Sequence, residues 1–409
     1  MADFLLGINY WPRSSAMYMW ERFDLGEIRE DFARIAGLGL HAVRFFLMWE
    51  AFQPKIDAID DSALEKLDGV MQALSDAKLR AMPTFFTGHM SGVNWIPRWA
   101  LDSQAPHGRF RTYASGKESP FGIGDFYRGG LLDAQRLQAR TIGQRYRDHP
   151  ALLAWDLGNE FSNMREPNSP QEAAEWSAAL TNDLLETSGV GATGGIHGED
   201  LSRDRHIRPS SIAERWEFVT MHGYPVYSGF ARHRTDPDVV PYLAQLTQSC
   251  SGKPVLFSEL GAPTCPPDKM SPYDREPLPG DDVQRPVHPP ANCASYACLS
   301  EAETADYAYA VLDRLQQRGA LGGFWWCWAD YDPALAELPP FDRAKHEMRF
   351  GIIRSDASEK PVALTLKRFA AEMRTTSAAP APIVDEAAYY AHLPKAIDDD
   401  YRRYLTFHR

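Results

Sequence analysis

Residues 4–12 read FLLGINYWP, a short apolar run that closes on Asn9 and then on Tyr10, Trp11 and Pro12. An open doubly wound sheet would turn here into a glycine-rich phosphate loop of the pattern G-x-G-x-x-G, and no such loop follows. Moving outward, runs of the same kind recur: HAVRFFL at 41–47, RAMPTFF at 80–86, LLAWDLGN at 152–159, GVGATGGIH at 189–197, EFVTMHGY at 217–224, PVLFSELG at 254–261 and GGFWWCWAD at 322–330. Between them lie amphipathic stretches of helical period, among them LGEIREDFARIAGLG, ALEKLDGVMQALSDA and ADYAYAVLDRLQQRG. Eight apolar strands in alternation with at least seven helices predict an α/β fold of the (β/α)8 TIM-barrel type.

A barrel needs about 250 residues, so a chain of 409 has room for insertions. The stretches after the third run, near 88–130, and after the seventh, near 261–300, read as long loops on the C-terminal face, where barrel enzymes build their sites. Residues 1–374 read as the barrel. Residues 375–409 read as a linker, SAAPAPIVDE, and a short amphipathic tail expected to pack on the barrel or on a partner subunit.

Acidic residues exceed basic ones by 12 and no Lys/Arg-rich run occurs, which excludes a nucleic-acid binder that works by neutralising phosphates. Hydrophobic residues at 44% and charged residues at 24% are the balance of a chain that folds. No run approaches the roughly 18 apolar residues of a membrane span, so no membrane partner is expected. The start, MADFLLGINYWP, lacks a basic n-region and an apolar h-region, and a cytoplasmic location is the expectation. Five cysteines, an odd number, argue against an extracellular disulfide framework. Cys265, Cys293 and Cys298 share a Pro-rich stretch with His288, where free thiols, a loop disulfide and a small zinc site are all open readings. The 11 tryptophans exceed the needs of a core and point to a site that stacks sugars.

The polar residues at the ends of the runs carry the chemistry. Asn159 and Glu160 close the fourth run and Glu259 the seventh, on opposite sides of a barrel mouth. Two facing carboxylates are what glycoside cleavage requires, one as proton donor and one as nucleophile or base. Arg44, set inside an apolar strand, needs a carboxylate partner because an unpaired buried charge is costly. Glu259 is that partner, and a hydrogen bond from Tyr224 would help to keep it ionised while Glu160 holds its proton. Asn159 reads as a donor to the sugar 2-hydroxyl, and His89 and His222, closing the third and sixth runs, as further substrate contacts.

In the eighth run Phe324, Trp326 and Trp328 share one face, and Trp328 is expected to end it as the floor under a pyranose ring. Trp325 reads as packing. Trp49 and Glu50, past the second run, and Asp330 and Tyr331, past the eighth, are candidates for sugar hydroxyl contacts, whereas Asp156 reads as a buried structural acid. No H-x-x-x-H or H-E-x-x-H spacing surrounds the histidines and glutamates, so neither a metal nor a cofactor is expected.

Taken in this order, Arg44, His89, Asn159-Glu160, His222-x-Tyr224, Glu259 and Trp328 resemble glycoside hydrolase family 5 and, more broadly, the clan A retaining glycosidases, from about Phe4 to about Arg374. The resemblance implies Glu160 as acid/base and Glu259 as nucleophile in a double displacement with retention, and the other six as sugar-binding residues. GINYWP and FFLMWEAFQP further resemble exo-acting β-mannosidase-like members. The expected protein is a retaining exo-β-glycosidase acting on short β-linked oligosaccharides or glycosides, β-mannosides favoured. An endo-β-mannanase or β-glucanase, and a sugar-binding barrel without catalysis, stay open as alternatives, as does a homo-oligomer.

Overall fold

A computed structural model describes residues 2–106, 108–265, 298–376 and 382–409. Eight parallel strands close into a barrel in chain order: β1 Leu5–Tyr10, β2 Ala42–Met48, β3 Arg80–Thr87, β4 Trp155–Asn159, β5 Ala192–His197, β6 Val219–His222, β7 Val255–Leu260 and β8 Gly322–Trp325. Long helices cross outside the barrel in every interval but one. Between β5 and β6 only the short helices Gly198–Ser202 and Pro209–Ile212 occur among the described residues. Local chemistry sets the helix ends. Asp24 accepts hydrogen bonds from the amides of Gly26 and Glu27, Ser300 and Glu303 form a reciprocal capping box, and Gly189 and Gly252 close helices in the left-handed region.

The two-residue period of the strands sorts the barrel interior into layers. Ala42, Met82, Leu256 and Phe324 form an apolar plug at the bottom. Two residues further along their strands stand Arg44, Thr84 and Ser258, all buried, so a polar layer lies above the plug. The candidate site sits on that layer.

The stretch read as a loop after β3 is structured. Short strands at His89–Met90, Val93–Trp95, Arg111–Ala114 and Lys117–Ser119 form one small sheet, and Leu101–Pro106 pairs with Phe121–Ile123. Strands of two to six residues hold too little alternation to register as a pattern. In the stretch after β7, Cys265 and Cys298 are joined by a disulfide, while Cys293 and the rest of 266–297 lie outside the described residues.

The C-terminal tail forms the helices Glu386–Ala391 and Lys395–Phe407 and packs on the barrel. The Tyr401 hydroxyl donates to Asp236 Oδ2 at 2.7 Å and that of Tyr389 to the Leu201 carbonyl at 2.7 Å. Among the described residues no helix is long and apolar enough to cross a membrane.

Candidate active site

Arg44 organises the polar layer. Its guanidinium is fully buried and donates four hydrogen bonds: Nε to Asp156 Oδ2 at 2.7 Å, Nη1 to Asn9 Oδ1 at 3.0 Å and Glu259 Oε1 at 2.5 Å, and Nη2 to Asn159 Oδ1 at 2.9 Å. Two carboxylates and a fork-shaped cation thus satisfy one another where a lone charge would be prohibitive. Asp156, also bonded by Thr84 at 2.8 Å, is the buried structural acid expected from its position. Arg44 does not line the cavity above. It is corrected from a substrate contact to a positioning residue, because all three of its nitrogens are engaged below the mouth.

Glu259 reaches the mouth through an irregularity in its strand. Met221 pairs with Phe257, but the next residue, His222, pairs with Glu259, so a bulge between β6 and β7 turns the glutamate inward. Its second oxygen accepts the Tyr224 hydroxyl at 2.9 Å. Glu160 stands just past β4 in the left-handed region, at φ 45° and ψ 45°. A non-glycine residue pays about 1–2 kcal/mol for that conformation, and such strain persists where the surrounding structure fixes a functional side chain. Ligand atoms of Glu160, Glu259 and His222 all lie within 4.8 Å of one another.

The two carboxyls sit in unlike settings. Burial pushes both upward; at Glu259 His222 and the hydrogen-bonded Arg44 cation oppose it, whereas at Glu160 the opposition of His197 and Arg205 is met by the charges of Asp200 and Glu199, which add to the rise. At Glu160 the close contacts are neutral: Asn163 Nδ2 donates to Oε2 at 2.9 Å, His222 Nδ1 is 3.3 Å from Oε1, and His197 Nδ1 and His89 Nε2 are 3.8 and 3.9 Å from Oε2. Burial pushes the imidazoles down, to about 3 for His89 and His222 and about 4 for His197. Of the coupled pair, Glu160 is therefore the member that keeps a shared proton.

The hydrogen-bond network also fixes tautomers. Asn94 donates to the Asn163 carbonyl, so its oxygen faces His89 Nδ1 at 2.8 Å and the His89 proton sits there. His89 Nε2 is left as an acceptor. Arg205 donates to His197 Nε2 at 3.1 Å, which puts the His197 proton on Nδ1, facing Glu160. Asn159 donates to the His89 carbonyl at 3.0 Å and retains a second amide hydrogen for a ligand.

The cavity over these groups has a volume of about 1910 Å³, and its lining includes Glu160, Glu259, His89, Asn159, His222, Tyr224 and Trp326 from the residues singled out in the sequence. Five more of those residues lie elsewhere, among them Tyr331, which is buried against Phe341. The β8 ladder ends at Trp325, and beyond it the alternation no longer holds. Trp326 lines the cavity instead of Trp328, which is buried with the Arg34 guanidinium 5.4 Å from its ring. Trp49 is buried among Phe86, Trp99 and Phe126. Glu50 accepts from the amide and hydroxyl of Ser115 and so ties the small sheet to the barrel. Asp330 is held by Lys360 at 2.7 Å and the Gly351 amide at 2.9 Å. Trp49, Glu50, Asp330 and Tyr331 already have their partners inside the protein.

His197 was not singled out, although ATGGIH ends on it by the same rule that marks His89 and His222. Glu160, His222 and Glu259 are the described side chains close enough together to ligate an ion. Arg44 already supplies positive charge to this group, so the donor set does not call for a metal.

No family model matches the chain. A curated relative bearing the name mannan endo-1,4-beta-mannosidase 5, from Oryza sativa subsp. japonica, is 24% identical over 276 residues, 58% of this chain and 54% of its own length. The chain thus spans about half the length of that relative. Among solved structures, a GH5_18 protein from Streptomyces cattleya in complex with GlcNAc is 22% identical, with 93% of this chain and 83% of that chain covered and a TM-score of 0.72. The chain resembles glycoside hydrolase family 5. An exo-beta-1,4-mannosidase from Opitutaceae bacterium strain TAV5 is 24% identical, covering 91% of this chain and 61% of that one, with a TM-score of 0.70. A GH5_18 protein from Bifidobacterium longum subsp. longum in complex with Manβ1-4GlcNAc is 20% identical over 90% and 78%, with a TM-score of 0.71. With these three solved structures the chain shares its barrel fold.

Proposed function

We propose that the protein is a retaining exo-β-glycosidase that cleaves short β-linked oligosaccharides or glycosides, with β-mannosides favoured. One observation carries this reading: two carboxyl groups in unlike settings meet over one cavity, with oxygens within 4.8 Å. Retaining enzymes hold their carboxyls about 5–5.5 Å apart and inverting ones roughly 6.5–9.5 Å, so the separation supports retention. Glu160 protonates the glycosidic oxygen while Glu259 attacks the anomeric carbon and the leaving group departs as an alcohol. Water then adds to the glycosyl-enzyme, Glu160 takes its proton, and Glu259 leaves as a carboxylate. The second amide hydrogen of Asn159 and the free Nε2 of His89 serve sugar hydroxyls.

Three links between the insertion after β3 and the chain after β8 support an enclosed, exo-acting pocket. Ser91 donates to Glu347 at 2.9 Å, Arg111 grips Asp342 through two nitrogens, and Arg343 donates to Glu118 at 2.9 Å. They bridge the rim above β1 and β2. The names of the similar proteins support a β-mannoside. A cytoplasmic location belongs to the same proposal, and cell fractionation tests it.

The test is incubation with β-1,4-manno-oligosaccharides and with mannan, followed by proton NMR of the first product. Mannose released as the β-anomer from short chains is expected. Mixed oligomers from the polymer would point to endo action, and sugar binding without turnover to a catalytically inactive barrel.

A further inference from the structure

The cavity is larger than the roughly 300–1,000 Å³ of an ordinary small-molecule site. It continues from the catalytic pair to a wall that belongs to none of the βα connections. That wall comes from the C-terminal tail: Tyr390, Leu393, Pro394, Ile397, Asp398 and Arg402 all line it.

The tail is anchored on the Glu160 side of the mouth. His197, whose Nδ1 faces Glu160, caps the helix Gly198–Ser202, and its backbone amide donates to Asp200 Oδ2 at 3.1 Å. The Tyr390 hydroxyl donates to the Asp200 carbonyl at 3.1 Å, and the Tyr389 hydroxyl bonds Leu201 in the same short helix. One short helix thus connects His197, beside the acid, to the tail. In a glycoside cleavage the proton donor must stand beside the leaving oxygen, so whatever is attached to that oxygen extends over the Glu160 side.

We propose that the tail segment 390–402 is the recognition wall for the leaving group, and that it selects a unit with both an apolar face and hydroxyls, such as a second sugar ring. Leu393 and Pro394 offer the apolar contact, and Asp398 and Arg402 offer an acceptor and a donor. This inference rests on the glycosidase reading above.

The test compares two substrates that share a glycosyl unit and differ only in the leaving group, methyl β-mannoside and β-1,4-mannobiose. Asp398→Asn and Arg402→Ala change side chains at the surface, and Leu393→Ala removes one half-buried apolar contact. Each is expected to lower the ratio of kcat/KM for mannobiose over methyl mannoside by about five- to tenfold, the size of one lost polar or apolar contact. A ratio equal to that of the unaltered protein in all three variants, whether both activities fall together or neither moves, overturns the assignment of the tail and leaves the glycosidase reading standing. An unaltered protein inactive on both substrates overturns the glycosidase reading itself, and this inference with it.

Discussion

Replacing Arg44 with lysine keeps the charge and removes the fork. The guanidinium serves Asp156, Asn9, Glu259 and Asn159 from three nitrogens, and a single ammonium nitrogen cannot occupy three positions. A lysine that stays with Glu259 gives up Asp156 and at least one amide oxygen. With about 1.5–3 kcal/mol for each bond that has the charged guanidinium as donor, the fold loses about 3–6 kcal/mol. Equilibrium denaturation reads that loss. A second consequence appears in the rate. Arg44 opposes the burial that pushes the Glu259 carboxyl up, so a weaker hold lets it rise, and the acidic limb of kcat/KM moves to higher pH. A variant whose stability lies within about 0.5 kcal/mol of the original, with its acidic limb unmoved, would refute the assignment of Arg44 as the group that keeps Glu259 ionised.

Glu160→Gln should lower kcat/KM on an unactivated β-glycoside by about 10²–10⁴ and cost far less in the glycosylation step of a dinitrophenyl glycoside, whose leaving group needs no proton. Equal losses would count against Glu160 as the acid. Glu347→Ala removes the carboxylate that Ser91 bonds across the rim, and release of products longer than one sugar from mannotetraose should rise. An unchanged product profile would show that this link does not close the pocket. Asp31, buried on the outer helix Leu25–Gly37 with the Tyr10 hydroxyl 3.0 Å away, is pushed up to about 7 by burial. Its folded value lies above the unfolded one near 3.9, so the fold binds the proton more tightly, and the stability it contributes at low pH is lost as pH rises to about 7, by no more than roughly 4 kcal/mol. Asp31→Asn should flatten the denaturation midpoint between about pH 4 and 7, and a pH profile identical to the original would refute the shift.

What the sequence made legible follows from strand ends. Barrel mouths collect the polar residues that close apolar runs, and that reasoning leads to Glu160, Glu259, His89 and His222 without any long-range information, although alternation alone would turn Glu259 away from the mouth and a bulge brings it back. It fails where the backbone leaves the ladder. Trp326 and Trp328 have the same parity, but β8 stops at Trp325, so their order of approach to the cavity is set by chain geometry that no alternation encodes. Glu50, Trp49 and Asp330 failed for another reason: their partners, Ser115, the Phe86–Trp99–Phe126 cluster and Lys360, come from segments whose docking cannot be read from spacing. His197 is the opposite case, visible by the rule and passed over.

Arg44 joins the two kinds of information. A cation inside HAVRFFL can fold only if acids gather around it, and the acids that do so are Asp156 on β4, the strand that Glu160 follows, and Glu259 itself on β7. Its bonds to Glu259 and Asn159 make the burial of one charge also set the position of two residues at the mouth. The polar layer that the barrel must satisfy in order to fold is therefore the same layer that orients the carboxylate, and a substitution that relieves the first requirement, such as an apolar residue at both 44 and 156, would free the second and leave Glu259 protonated.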